Sequence, residues 1–398
     1  MRCLIVLRNV PYPPNAGGKL RAAHLANYLA ERHDVSVVCF TQEGESYELD
    51  ADVRARFREF RVVPLSDPGG SPIRRWLSPH PGDVQRLHTV EMKACVEALI
   101  AKHDPEVLIA GDPSLSIYLA AHRSRVRVLD YVCVTTLQFK RLADISSGTA
   151  QLLWKLRERK YGSFHRRIAG QYDLCLVNSK EDRDALLETS PGWRGVEVVP
   201  NGLELVQYPL GLAPVEPGLM VYAGSVTYGP NRDAVQYFVD AILPRIHREV
   251  PDARLLVTGA TPKDGSAPEG PHVDYTGYLD DVRPVLGKAW TSVVPLRAGG
   301  GGVRFKVLES MALGSPMVST AIGAEGVAYV DRENILMAER PEQFAARTVE
   351  ILKSPELRAK ISSGGRKLIE EQYDWRKLGA EIESMLEELV ARKRISVA

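Results

Sequence analysis

The chain has 398 residues, 44% hydrophobic and 25% charged, with a formal net charge of +1. That is globular composition at a length that suggests two domains of roughly 150–200 residues each. The near-neutral balance gives no electrostatic case for nucleic acid as a partner, and no uncharged run reaches the ~18–20 residues that a membrane span needs.

In chain order, the first half alternates short apolar runs with longer amphipathic stretches. The expected strands are CLIVL (3–7), VSVVCF (35–40), FRVVPL (60–65), EVLIAG (106–111), VRVLDYV (126–132), DLCLVN (173–178) and VEVVPN (196–201). Helices fall between them, the first being GGKLRAAHLANYLAER (17–32). This βαβ rhythm predicts a parallel sheet covered on both faces. A Pro/Gly-rich passage, YPLGLAPVEPG (208–218), follows, and then the rhythm restarts. The next strands are LMVYAG (219–224), ARLLVTG (253–259), VDYTG (273–277), TSVVPL (291–296) and SPMVST (315–320), with helices at 231–249, 280–287 and 303–313. Two such blocks predict an α/β protein of two doubly wound, Rossmann-like domains. The last stretch of the chain reads as helices.

Two regions are locally basic. Residues 138–167 carry eight Lys/Arg against two acids, and 150–168 reads as a basic amphipathic helix. That pattern suits a membrane surface or an anionic substrate, although a solvated helix is the plainer reading. A second basic stretch, SPIRRWLSPHP (71–81), reads as a loop in which Trp76 stands beside two arginines. The five cysteines are odd in number and widely spaced, which fits reduced buried thiols in a cytoplasmic protein. The start of the chain lacks the long apolar core of a signal peptide. The scattered histidines, and acids that fall at helix starts in EDRD (181–184) and LDD (279–281), call for no metal.

The densest chemical signal is AGGGGVRFKVLESMALG (298–314). Glycines follow a strand and lead into a helix whose apolar face is Val307, Leu308, Met311 and Ala312. Glycine leaves backbone N–H groups uncovered, and N–H groups at a helix start attract anions. Arg304 and Lys306 add full charges where the helix dipole disfavours cations. A diphosphate in front of them would explain the placement. The P-loop pattern GxxxxGK[ST] is absent, and the late position of the glycines argues against a dinucleotide-binding GxGxxG.

On these residues the sequence resembles glycosyltransferase family 4, the retaining nucleotide-sugar transferases of the GT-B fold, in a branch found in bacterial polysaccharide and secondary-metabolite clusters. PYPPNAGGKLRAAHLANYLAERHDVSVV resembles the family's first glycine loop and helix. YTGYLDDVRPVLGKAWTSVVPL and GGVRFKVLESMALGSPMVST are its most specific matches, and DWRKLGAEIESML resembles its closing helix. The resemblance implies an acceptor-side domain over 1–207, completed by a helix at 375–398, and a donor-binding domain over 208–374.

It also implies roles residue by residue. Gly17, Gly18 and Lys19 would lie on the acceptor or phosphate side, with Asp130 and Tyr131. Gly224, Ser225, Tyr228 and Asn231 would face the donor. Tyr278 and Leu279 would hold the base. Gly300, Gly301, Gly302 and Val303 would present N–H groups, and Glu309 would bind the ribose hydroxyls. Arg304 and Lys306 would stabilise the leaving diphosphate. The sequence departs from the family at Gly301, where relatives carry the first of two glutamates, and in GSVTYGPNRDA, which lacks the usual Arg and Lys. The implied co-substrate is a nucleotide sugar, with UDP as the expected nucleotide, acting on a hydroxyl acceptor without cofactor or metal. An enzyme that epimerises the sugar nucleotide, or an inactive sugar-nucleotide binder, would share this sequence pattern.

Overall fold

In the computed structural model, residues 1–14, 17–42, 49–65, 78–299 and 301–397 are described. Much of the basic stretch at 71–81, including Trp76, lies outside them, as does Gly300. The chain divides into two units, Met1–Pro200 with Gly300–Gly302 and Arg376–Ala398, and Asn201–Gly299 with Val303–Trp375. The division at Pro200 falls slightly before the expected 207, where the Pro/Gly-rich passage begins.

The first unit is built on seven parallel strands: β1 (Arg2–Leu7), β2 (Asp34–Gln42), β3 (Glu59–Leu65), β4 (Val107–Ala110), β5 (Val126–Tyr131), β6 (Leu174–Val177) and β7 (Val196–Val198). Their order is β3-β2-β1-β4-β5-β6-β7. β4, β5 and β6 are buried at every position. Continuous apolar runs rather than alternating ones follow from burial on both faces. Each fully buried Val, Leu or Ile in these strands contributes about 1.5–3 kcal/mol of transfer free energy. The strand order reverses between β1 and β4, so the ligand crevice of this sheet is expected outside their carboxyl ends.

The second unit has six strands: β8 (Leu219–Ala223), β9 (Arg254–Thr258), β10 (Val273–Tyr275), β11 (Thr291–Val294), β12 (Met317–Ser319) and β13 (Leu336–Met337). The order is β10-β9-β8-β11-β12-β13, and the reversal falls between β8 and β11. β13 was not foreseen, because two residues are too few to carry a pattern. The helix expected over 231–249 is broken in character: Gly229–Tyr237 is α-helical, Phe238–Ile242 forms a wider π turn, and Leu243–His247 resumes. Pro244 lacks the N–H that a regular ladder requires there, and a π turn absorbs the mismatch.

Candidate functional site

In the second unit the site grows from the switch point between β8 and β11. β8 ends at Ala223 and the chain turns through Gly224 at φ +149°. A Cβ at Gly224 would stand 2.7 Å from Lys306 Nζ and 2.8 Å from Asn231 Nδ2. Only glycine leaves room for the ammonium to reach the end of β8. After β11 the chain passes Gly299, also at positive φ, and enters the helix Phe305–Ala312. That helix starts later than the expected 303. Arg304 is its N-cap residue, in an extended conformation, and Val303 is buried with its carbonyl accepting from Asn201 Nδ2 at 2.7 Å.

Lys306 and Glu309 share the helix face away from its apolar stripe, as their spacing of three predicts. Neither is solvated freely. Lys306 Nζ donates to Asn231 Oδ1 at 2.9 Å and to Tyr222 Oη at 3.1 Å, and lies 4.2 Å above the Tyr222 ring. Tyr222 Oη in turn donates to Asn231 Oδ1 at 2.8 Å. Asn231 is itself fixed by Nδ2 donating to the Ser225 carbonyl. The ammonium is therefore cradled by neutral oxygens. Burial, and then the neighbouring Arg304 charge, pushes its pKa down to about 7. Glu309 accepts from Tyr208 Oη at 3.0 Å, and burial pushes its carboxyl up to about 7. Arg304 Nη1 pairs with the buried Glu325 carboxylate at 3.7 Å.

Ser225 Oγ donates to the Ala260 carbonyl at 2.9 Å and lies 2.7 Å from Thr227 Oγ1. Tyr228 and Tyr278 are both exposed, and Leu279 is half-buried beside Tyr278. The structure thus brings Gly224, Asn231 and Lys306 into direct contact, with Ser225 and Arg304 beside them. Tyr208 holds Glu309 and Tyr222 completes the cradle of Lys306; neither was picked out from sequence. Their partners lie 101 and 84 positions away, so no local pattern signals them.

In the first unit, Gly17 and Gly18 open the helix Gly17–Ala30 as exposed residues, with Lys19 half-buried next to them. Two expectations need correction. Asp130 is buried and committed to Arg21, whose Nε and Nη2 donate to its carboxylate at 2.7–2.9 Å. Arg21 also donates to the carbonyls of Val199 and Pro200. Tyr131 is fully buried, with its ring edge-on to His165 and Trp193. β5 runs to Tyr131, so both residues sit inside the sheet rather than beyond its edge. Neither is placed to meet an acceptor. Gly301 and Gly302 group with this unit. A Cβ on Gly301 would collide with the Asp182 carboxylate, so a glutamate does not fit there without rearrangement.

Arg8 follows β1, and Asp112 lies just beyond β4, at the switch point of this sheet. Arg8 pairs with Asp83 at 3.2 Å and with Asp112 at 3.6 Å. These residues were not singled out from sequence. Their signal is positional, since both follow strands that flank the reversal.

Comparison with known proteins agrees with this fold. Residues 16–207 match the model described as Glycosyltransferase Family 4, and residues 217–354 match that described as Glycosyl transferases group 1. A sucrose-phosphate synthase from Thermosynechococcus elongatus superposes with a TM-score of 0.74 at 16% identity, covering 98% of this chain and 100% of that one. Anabaena HepE in complex with UDP superposes with a TM-score of 0.68 at 12% identity, again covering 98% and 100%. At such identities the likeness is one of fold. An uncharacterized glycosyltransferase of Methanocaldococcus jannaschii is 28% identical over 122 residues, 30% of this chain, and the match spans about a third (34%) of that protein. The two doubly wound units and the two family matches, which together run through most of the sequence, place the chain among the GT-B-fold glycosyltransferases of family 4.

Proposed function

We propose that the protein transfers a sugar from a nucleotide sugar, a UDP-sugar, to a hydroxyl acceptor with retention at the anomeric carbon and without a metal. The observation that carries this reading is Lys306: a half-buried cation at the switch point of the second unit, cradled by neutral oxygens. Such a charge is expensive to keep unless an anion joins it. A diphosphate meets that need, and the Anabaena neighbour holds UDP. Arg304 at the N-cap adds a second cation, and Glu309 offers carboxylate oxygens to vicinal ribose hydroxyls.

As the anomeric carbon–phosphate oxygen bond breaks, negative charge grows on the diphosphate, where Lys306 and Arg304 stabilise it. The acceptor oxygen bonds to the same face of that carbon, and its proton passes to the departing phosphate oxygen. The acceptor side falls to the first unit, and a membrane surface met through 150–168 completes the set of partners. The test is UDP release from a panel of UDP-sugars with and without sugar, lipid and small-molecule acceptors. Arg304→Ala and Lys306→Ala are expected to fold and lose most turnover. Near wild-type turnover in both overturns the assignment, and tight UDP binding with no turnover on any acceptor identifies a binder instead.

A further inference from the structure

The helix Gly148–Ile168 has two unlike faces. Its inner face is aromatic and packed. Trp154 stacks on Phe139 with centroids 5.6 Å apart, Tyr161 meets Phe139 at 5.2 Å, and Phe164, His165 and Ile168 are buried. The outer face of its first half carries apolar residues, and the half-buried Lys160 and exposed Arg167 follow further along the same side. Leu152 is 60% exposed, Leu153 47% and Leu156 46%, and Ile145, in the turn that precedes the helix, is 65% exposed. At about 100° per residue the three leucines share an arc of about 100°. Single exposed apolar residues are ordinary, but a contiguous set on one helix face is not.

The rim of this arc is cationic. Lys155 and Arg159, both exposed, lie on one side of the leucines on the helical wheel, and Arg157, over the Trp154 ring at 4.8 Å, lies on the other. Lys140 is exposed on the preceding helix Thr135–Asp144. Glu158 falls on the inner half of the wheel and is half-buried. Asp144, the other acid between 138 and 167, is exposed at the end of the preceding helix.

We infer that this face docks on a membrane surface bearing anionic headgroups, with Leu152, Leu153, Leu156 and Ile145 at the headgroup–acyl boundary and Lys155 and Arg159 against the phosphates. An apolar centre with a basic rim is the pattern of a helix that lies in an interface. A second copy of the chain is a poor occupant, because the two cationic rims would face each other. Among the described residues no helix is long and apolar enough to cross a membrane, so the contact is peripheral. This deepens the membrane part of the function proposed above and does not depend on its donor chemistry.

The test is flotation of the full chain with vesicles of phosphatidylcholine alone or mixed with phosphatidylglycerol. The mixed vesicles are expected to bind at least about tenfold more protein, with binding falling as salt screens the rim. Leu152→Ser/Leu156→Ser and Lys155→Glu/Arg159→Glu are each expected to lower binding about tenfold or more. Both variants are expected to keep the wild-type melting temperature and the wild-type release of UDP in vesicle-free solution, so a failed donor reading is seen separately. Absence of binding to the mixed vesicles, or equal binding by wild type and variants, overturns the inference. A leucine-dependent dimer in sedimentation without vesicle binding also overturns it and assigns the face to a second copy.

Discussion

The carboxyl edges of the two sheets both carry buried or half-buried cations, and they treat them in opposite ways. In the first unit Arg21 is closed off by Asp130, and Arg8 stands between Asp83 and Asp112. In the second unit the hydrogen bonds that hold Lys306 go to neutral oxygens. A cation matched by a carboxylate is part of the architecture. A cation hydrogen-bonded to an amide and a phenol keeps much of its burial cost, which an added anion would offset. Under the proposed function, the first edge takes the uncharged hydroxyl acceptor and the second the diphosphate.

The largest effect should come from breaking the architectural pair. Asp130→Ala leaves Arg21 buried without its counter-charge and is expected to cost about 3–5 kcal/mol of stability, read from the urea midpoint. Next comes the cation of the second edge. Lys306→Met should lower kcat/KM by about 10²–10³ while leaving the urea midpoint near or above wild type, because the substitution removes a charge that burial disfavours. If Lys306→Met instead cost as much stability as Asp130→Ala, the contrast between the edges would collapse.

A smaller effect has a definite sign with pH. Glu309 is raised from 4.5 to about 7 by burial. Between those values the folded protein holds a proton that the unfolded chain has released, so Glu309 makes stability fall as pH rises from about 4.5 to about 7. Lys306 is lowered from 10.5 to about 7, so above 7 the unfolded chain holds the extra proton and stability rises with pH. Glu309→Gln removes only the first term. Relative to wild type it should gain stability as pH climbs from about 4.5 to about 7 and then level off, as read from urea midpoints across pH. The smallest change is Tyr208→Phe, which deletes one hydrogen bond to Glu309. It should weaken UDP binding by about 0.5–1.5 kcal/mol, and a larger loss would make Tyr208 a direct ligand rather than a support for Glu309.

Much of this was legible in the sequence, for physical reasons. Every expected strand is present, because strands buried on both faces write themselves as uninterrupted apolar runs such as VLIA and LCLV. Lys306 and Glu309 were legible because helical spacing fixes their common face. The end of β5 was legible to within one residue, but the burial of Asp130 and Tyr131 was not, because it depends on what packs against the strand. The carboxylate's true partner, Arg21, lies 109 positions away on a helix whose pattern reads as ordinary. Tyr208 and Tyr222 were invisible for the same reason: a phenol meets its partner only after the chain has folded. At Gly301 a Cβ would collide with the Asp182 carboxylate, a clash between positions far apart in the chain that only coordinates reveal.

The central claim is that Lys306 awaits a diphosphate. The most direct measurement is calorimetric titration of wild type and Lys306→Met with UDP and, in parallel, with uridine. The account predicts that the substitution weakens UDP binding about ten- to hundredfold and leaves uridine binding unchanged. Equal UDP affinity in the two proteins would contradict it.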